Sequence, residues 1–251
     1  MAEAAITSDY GRESRLCTTT VRFWRKRDDV TIIIPQFGGS ELTLDCVRSL
    51  RRHERERHAI VVVDDGSSPE HRARIAEAEL PGVRLIAQPH AGITPAWDHG
   101  LAAAGTPFVV FLNNDTLARG PFVNRLLEPL RSSRTLLSGL RLRRETAVPA
   151  DVLARLPSER FLEGWCLAVR TDDLQRIGGF DERMKLYFSD TDMQARLLLE
   201  RRRGLDALVV VGDLPLDHAG HRTAHLQRGR RQQWNADRSA FVRKWRSGAS
   251  A

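Results

Sequence analysis

Short runs of β-branched and aliphatic residues, each ended by Pro, Gly, Asn or Asp, recur along this chain and set what it can fold into. Val30-Thr31-Ile32-Ile33-Ile34-Pro35, Ala59-Ile60-Val61-Val62-Val63 and Phe108-Val109-Val110-Phe111-Leu112 are almost continuously apolar. Such runs, without polar alternation, mark strands buried on both faces. Between them the period changes. A helix is expected from about Ser40 to Arg52, with Leu42, Cys46, Val47 and Leu50 on one stripe, and another from Thr94 to Ala104. Ser67-Ser68-Pro69-Glu70 opens a third, with Ser67 as the cap and Glu70 reaching back to it. With a short strand at Val83 to Ala87, the alternation predicts an α/β fold around a parallel, doubly wound sheet.

Beyond residue 115 the pattern loosens. Arg131 to Arg160 is rich in arginine, carries Pro149 and Pro157, and reads as a variable lobe. Phe161 to Val169 resumes strand character, Leu174 to Ile177 is one helical turn closed by Gly178-Gly179, Asp190 to Arg203 is an amphipathic helix, and Ala207 to Val211 is a last strand. Residues 1–29 have no sustained period and read as a loose arm. At 251 residues with 41% hydrophobic content the chain fills one sizeable domain. It has neither a long apolar run nor a secretion signal, so a soluble, cytoplasmic protein is expected. Cys17, Cys46 and Cys166 are odd in number and widely spaced, which predicts unpaired thiols.

Three acidic clusters stand where hydrophobic runs end or helices begin: Asp64-Asp65, Asn113-Asn114-Asp115 and Asp190-Thr191-Asp192. Each alone is compatible with a turn or a helix cap. Together, at the carboxyl ends of parallel strands, they predict a crevice in which carboxylates hold a divalent cation and the cation neutralises a diphosphate.

The chain resembles the family 2 glycosyltransferases of the GT-A fold over roughly Val30 to His218. The pieces that match are Ile32 to Phe37, Val63-Asp64-Asp65-Gly66-Ser67-Ser68, Phe111-Leu112-Asn113-Asn114-Asp115-Thr116, Gly178-Gly179-Phe180-Asp181-Glu182, and Tyr187-Phe188-Ser189-Asp190-Thr191-Asp192. It looks most like the bacterial branch containing rhamnosyltransferase-like enzymes. The resemblance implies a single Rossmann-like GT-A domain at 30–220, with a nucleotide-binding half at 30–115 and an acceptor-binding half at 116–220. It also implies an inverting transfer of sugar from a UDP- or dTDP-linked donor to an acceptor hydroxyl, assisted by Mg²⁺ or Mn²⁺. The acceptor would be a glycan, a lipid-linked glycan or a small molecule.

Carried over residue by residue, the resemblance places Pro35 and Phe37 at the nucleobase, Asp64 or Asp65 on the base or ribose, and Gly92, Asp98, Asn114 and Arg222 along the nucleotide sugar. Asp115 becomes a metal ligand, completed by His218. Asp190 becomes the general base, and Asp192 orients its loop or binds acceptor together with Glu163, Gly164 and Trp165. Trp165 reads equally as a core residue, and His218, His221 and His225 equally as loop histidines facing solvent. The sequence departs from the family pattern at Asn113 and Ser189, where acids are usual, and at Asp98, where Asn is common.

Two other functions stay open. A sugar nucleotidyltransferase would need a basic, glycine-rich phosphate loop, but Gln36-Phe37-Gly38-Gly39-Ser40 supplies glycines and no base. A degenerate, non-catalytic relative would grip a polyanion through the stretch 221–251. Between His221 and Arg246 eight basic residues face the single acid Asp237, and this excess equals the whole net charge of +7. That segment is either an amphipathic helix packed on the domain through Trp234, Phe241 and Trp245, or a contact for an anionic membrane surface. No nucleic acid partner is expected.

Overall fold

The computed structural model describes residues 29–56, 58–78, 80–220 and 229–248. Residues 1–28 of the expected N-terminal arm, with Cys17, and residues 221–228, with His221, Arg222 and His225, lie outside them.

The first half alternates as expected: β1 (Val30–Gln36), α1 (Ser40–His53), β2 (Ala59–Asp65), α2 (Pro69–Glu77), β3 (Val83–Gln88), α3 (Ile93–Ala103) and β4 (Phe108–Leu112). Then come β5 (Thr116–Ala118), α4 (Val123–Leu127), β6 (Leu137–Gly139), β7 (Leu142–Arg144), α5 (Ala150–Leu153), β8 (Arg160–Leu162) and β9 (Cys166–Arg170). The remainder is α6 (Thr171–Arg176), α7 (Ser189–Glu200), β10 (Leu208–Val210), β11 (Leu216–His218) and α8 (Arg230–Ser247). Seven strands form the central sheet in the order β10-β6-β9-β4-β1-β2-β3. Pairing is parallel except at β9, which runs antiparallel to both β4 and β6.

Successive side chains on a strand point to opposite faces, so each central strand feeds two apolar layers. Ile32, Ile34, Val110 and Leu112 pack with Cys46, Val47 and Leu50 of α1 and Val123 and Leu126 of α4. Ile33, Val109 and Phe111 pack with Ala96, Trp97 and Leu101 of α3, Leu174 of α6, Met193 and Leu197 of α7, and Phe241 and Trp245 of α8. Cys46 and Cys166 are buried free thiols, and burial, followed by the nearby Asp115 carboxylate, pushes Cys46 up to about 12.

Three local expectations need correction. The stretch read as a variable lobe contributes β6 to the central sheet, between β10 and β9, where a three-residue strand is too short to carry a period. The strand expected over Phe161 to Val169 is two strands, broken at Glu163-Gly164-Trp165. Ser68 caps α2, accepting from His71 N–H at 3.5 Å, while the Ser67 hydroxyl accepts from Gly38 N–H at 2.9 Å and so ties the end of β1 to that of β2. Most of the basic C-terminal stretch is α8, and its buried residues Asp237, Phe241, Lys244 and Trp245 share one helical face against the domain. No helix among the described residues is long and apolar enough to cross a membrane.

Candidate active site

The parallel strands β1, β2 and β4 end on the same edge of the sheet, and the loops leaving them border a cavity of about 510 Å³, within the range of small-molecule sites. Pro35, Gln36, Phe37, Asp65, Asn113, Asn114 and Asp115 line it from this side. Asp64 does not, because the strand's alternation turns it to the opposite face, where Arg72 Nε holds it at 2.9 Å. Asp65 is 2% exposed, and its carboxylate organises the neighbouring loop. It accepts from Gln88 Nε2 and Ala91 N–H at 2.7 Å and from Gly92 N–H at 2.9 Å. Gly92, at φ 112°, lies so close to the next layer that a Cβ there would sit 2.5 Å from the Lys185 carbonyl oxygen. Phe37 stacks on His90, ring centroids 4.3 Å apart. The Asn114 amide donates to Gln36 Oε1 and Thr43 Oγ1 from a buried position.

A second group faces this edge from β5, β11 and the β8–β9 turn. Antiparallel pairing sets His218 opposite Thr116, which brings His218 Nε2 to 3.1 Å from Asp115 Oδ1. The imidazole lies flat on Trp165, centroids 4.4 Å apart and planes 8° apart, and Trp165 Nε1 donates to Glu163 Oε2 at 3.0 Å. Two ligands on adjacent positions of one octahedral cation, each at about 2.1 Å, are about 3 Å apart. The Asp115–His218 pair therefore has the spacing of two neighbouring ligands of a divalent cation. Among the described residues no group of three or more His, Cys, Asp or Glu gathers for metal binding.

Asp190 stands in the first turn of α7, after Phe188, which takes the left-handed conformation at φ 64°. It lines the same cavity as Asp65 and Asp115. Asp190 is half-buried, and loss of solvent around its carboxyl raises it above the ordinary carboxylate range, with Arg143 acting to lower it and Glu145 to raise it further. Gly164 packs directly against it, and a Cβ on Gly164 would fall 2.4 Å from Asp190 Oδ2. Gly164→Ala is therefore expected to displace the carboxylate and cut turnover by about a hundredfold, with nucleotide affinity unchanged. Turnover kinetics beside calorimetric titration with nucleotide would check both halves of that result.

Besides Asp64, two residues expected at the site lie elsewhere. Asp98 accepts from Phe180 N–H at 3.0 Å and props the Gly179-Phe180 turn, and burial, against that hydrogen bond, raises its carboxyl to about 6. Asp192 is fully buried. Arg196 Nε at 2.7 Å, Lys244 Nζ at 2.8 Å and Trp245 Nε1 at 3.0 Å occupy its carboxylate, so it joins α7 to α8 and does not line the cavity. Conversely, Arg143, Glu145, Leu186, Tyr187, Phe188 and Trp234 line the cavity without having been anticipated. Arg143 and Glu145 sit in the stretch with no readable period. Trp234 had one available signal, its place one turn before the lone acid of a basic helix.

The fold is GT-A. Mannosyltransferase PcManGT from Pyrobaculum calidifontis, solved with GDP-Man and Mn²⁺, superposes with a TM-score of 0.60 at 20% identity, covering 86% of this chain and 65% of that one. Glucosyl-3-phosphoglycerate synthase from Mycobacterium tuberculosis, solved with Mn²⁺, UDP and glucosyl-3-phosphoglycerate, also gives 0.60, at 19% identity and covering 84% and 78%. A sequence profile of glycosyl transferase family 2 matches residues 31–202, and the chain belongs to that family. A pre-mycofactocin glycosyltransferase of M. tuberculosis is 27% identical over 195 residues, 68% of this chain. The match spans only 39% of that relative's length.

Proposed function

We propose that the chain transfers a sugar, with inversion, from a UDP- or dTDP-linked donor to an acceptor hydroxyl, with Asp190 as general base. The observation that carries this is the common cavity of Asp65, Asp115 and Asp190. In that arrangement the base of the donor lies near Pro35 and Phe37, whose ring offers a stacking face, and the diphosphate lies toward Asp115 and His218. Asn114 and Gly92 then shape the donor site through the backbone they hold. Arg222 remains a proposed diphosphate contact. Glu163, Gly164 and Trp165 border the acceptor.

The reaction follows from that placement. The acceptor oxygen forms a bond to the anomeric carbon as the bond from that carbon to the diphosphate oxygen breaks on the opposite face. The hydroxyl proton passes to the Asp190 carboxylate, and nucleoside diphosphate leaves. Mg²⁺ or Mn²⁺ held by Asp115 and His218 would supply positive charge to offset that developing on the leaving diphosphate. Arg143 beside Asp190 favours the ionised carboxylate that can accept the proton.

Incubation with UDP-, dTDP- and GDP-sugars in Mn²⁺ tests the reading. Release of nucleoside diphosphate supports it, whereas pyrophosphate release would assign a nucleotidyltransferase, and failure to bind any sugar nucleotide would remove the donor site altogether. Asp115→Ala is expected to weaken the metal dependence of nucleotide binding by about tenfold or more, and an unchanged Mn²⁺ titration would reject Asp115 as a ligand. Contact with an anionic membrane is proposed through the exposed side of α8, where Arg231, Arg243 and Arg246 lie, and co-sedimentation with phosphatidylglycerol vesicles checks it.

A further inference from the structure

We propose that Asp237, on the C-terminal helix, is a positioning residue for the transfer: it shapes the loop 185–188 that walls the acceptor side of the cavity and delivers Asp190. The proposal rests on the transfer reading above and lies outside residues 31–202, which the family profile matches.

The lone acid of the basic segment is fully buried. Its Oδ1 accepts from Lys185 N–H at 3.0 Å, and its Oδ2 from Leu186 N–H and Tyr187 N–H, both at 2.9 Å. Gln233 Nε2, one turn earlier on α8, supplies a fourth donor at 2.7 Å. Three consecutive amides can converge on one carboxylate only if the backbone curls around it, so this contact fixes the loop's curvature. The loop is pinned from the other side too, because the Lys185 carbonyl accepts from Thr94 N–H at 3.2 Å. Thr94 belongs to the segment whose Gly92 is held by Asp65. Hydrogen bonds and the short backbone segments between them thus connect Asp65, on the nucleotide side, to α8, on the acceptor side.

Directly after the curled amides come Phe188 in its left-handed conformation and then Asp190. Leu186, Tyr187 and Phe188 line the cavity, and so does Trp234 from α8 itself. Holding α8 on the domain does not require Asp237. Phe241 and Trp245 are buried in the core, and Lys244 is bound to Asp192 and Asp181. Burying a further carboxylate carries a desolvation penalty, offset here by amides of a single loop. What Asp237 adds is therefore the geometry of that loop.

The test uses the full chain and Asp237→Asn, which keeps the size of the side chain but offers one carbonyl oxygen where the carboxylate offers two. Amides of residues 185–187 are expected to exchange hydrogen about tenfold faster or more. The kcat for sugar transfer or donor hydrolysis falls about tenfold or more, while Mn²⁺-dependent binding of UDP stays within about twofold. Unchanged kcat in a variant with the faster exchange would overturn the proposal, as would an equal rise in exchange across α8 and the central sheet, which would mark a purely structural role. Should Asp237→Asn fail to fold, Gln233→Ala removes one of the four donors and is expected to give the same pattern at smaller amplitude. Absence of that pattern also overturns the proposal. If the unmodified chain releases nucleoside diphosphate from no donor, the transfer reading fails by itself, and the exchange data still decide whether Asp237 holds the loop.

Discussion

Asp190→Asn is expected to lower sugar turnover by about 10²- to 10⁴-fold, the usual contribution of a positioned general base, and to leave nucleotide binding intact. Asn keeps the shape of the side chain beside Gly164 but cannot accept a proton, so the loss falls on kcat. The wild-type rate should rise with pH as Asp190 ionises, above the ordinary carboxylate range, because burial raises its carboxyl. The residual rate of the variant should lack that rise.

Stability should move the other way. A carboxyl whose pKa is raised on folding stabilises the fold below its ordinary value of 3.8, and loses that contribution as pH increases through the raised value. Once ionised, Asp190 is then a liability to the fold. Asp190→Asn should melt at the same temperature as the wild type or higher, and the gap should close in acid. Thermal denaturation across pH beside steady-state rates checks the pair of outcomes, and full turnover in the variant would remove Asp190 as the base. A marked drop in melting temperature at neutral pH would instead assign it a structural role.

Asp192→Ala, two residues along the same helix, is expected to destabilise the domain by about 3–5 kcal/mol, the effect of breaking a buried ion pair from one side. The arithmetic is local. Lys244 is 2% exposed by side chain and Arg196 8%, so neither cation can turn to water when the carboxylate is removed. Lys244 retains Asp181 at 2.8 Å, and Arg196 retains the carbonyls of Ile177 and Gly179, which places the loss toward the lower end of that range. For a chain of this length the melting temperature should fall by on the order of 10 °C. Equilibrium denaturation measures the difference directly. A variant as stable as the wild type would show that the network contributes nothing net.

The contrast between Asp190 and Asp192 illustrates why part of the site was legible in the sequence and part was not. The runs of Val30 to Pro35, Ala59 to Val63 and Phe108 to Leu112 announce strands buried on both faces, because an uninterrupted apolar stretch has no side that tolerates water. The acidic clusters that follow them then fall on one edge of the sheet with no further information. By contrast β6, three residues long, is held in place by its neighbours β9 and β10. Arg143 and Glu145 enter the cavity only because β7 pairs with β8 next to the turn that carries Gly164. Trp234 enters because Phe241 and Trp245 find a core to fill.

The sequence by itself determined the α/β order, the edge at which ligands are met, and the acidic character of that edge, since all three follow from local periodicity and from which residues end each strand. Only the tertiary structure decided which acid of each cluster faces the crevice. Neighbours on a strand point to opposite faces, and residues two apart on a helix point about 200° apart. Asp65 and Asp190 therefore meet in a cavity while Asp64 turns to Arg72 and Asp192 to Lys244, an assignment fixed when strands and helices pack and their faces acquire neighbours.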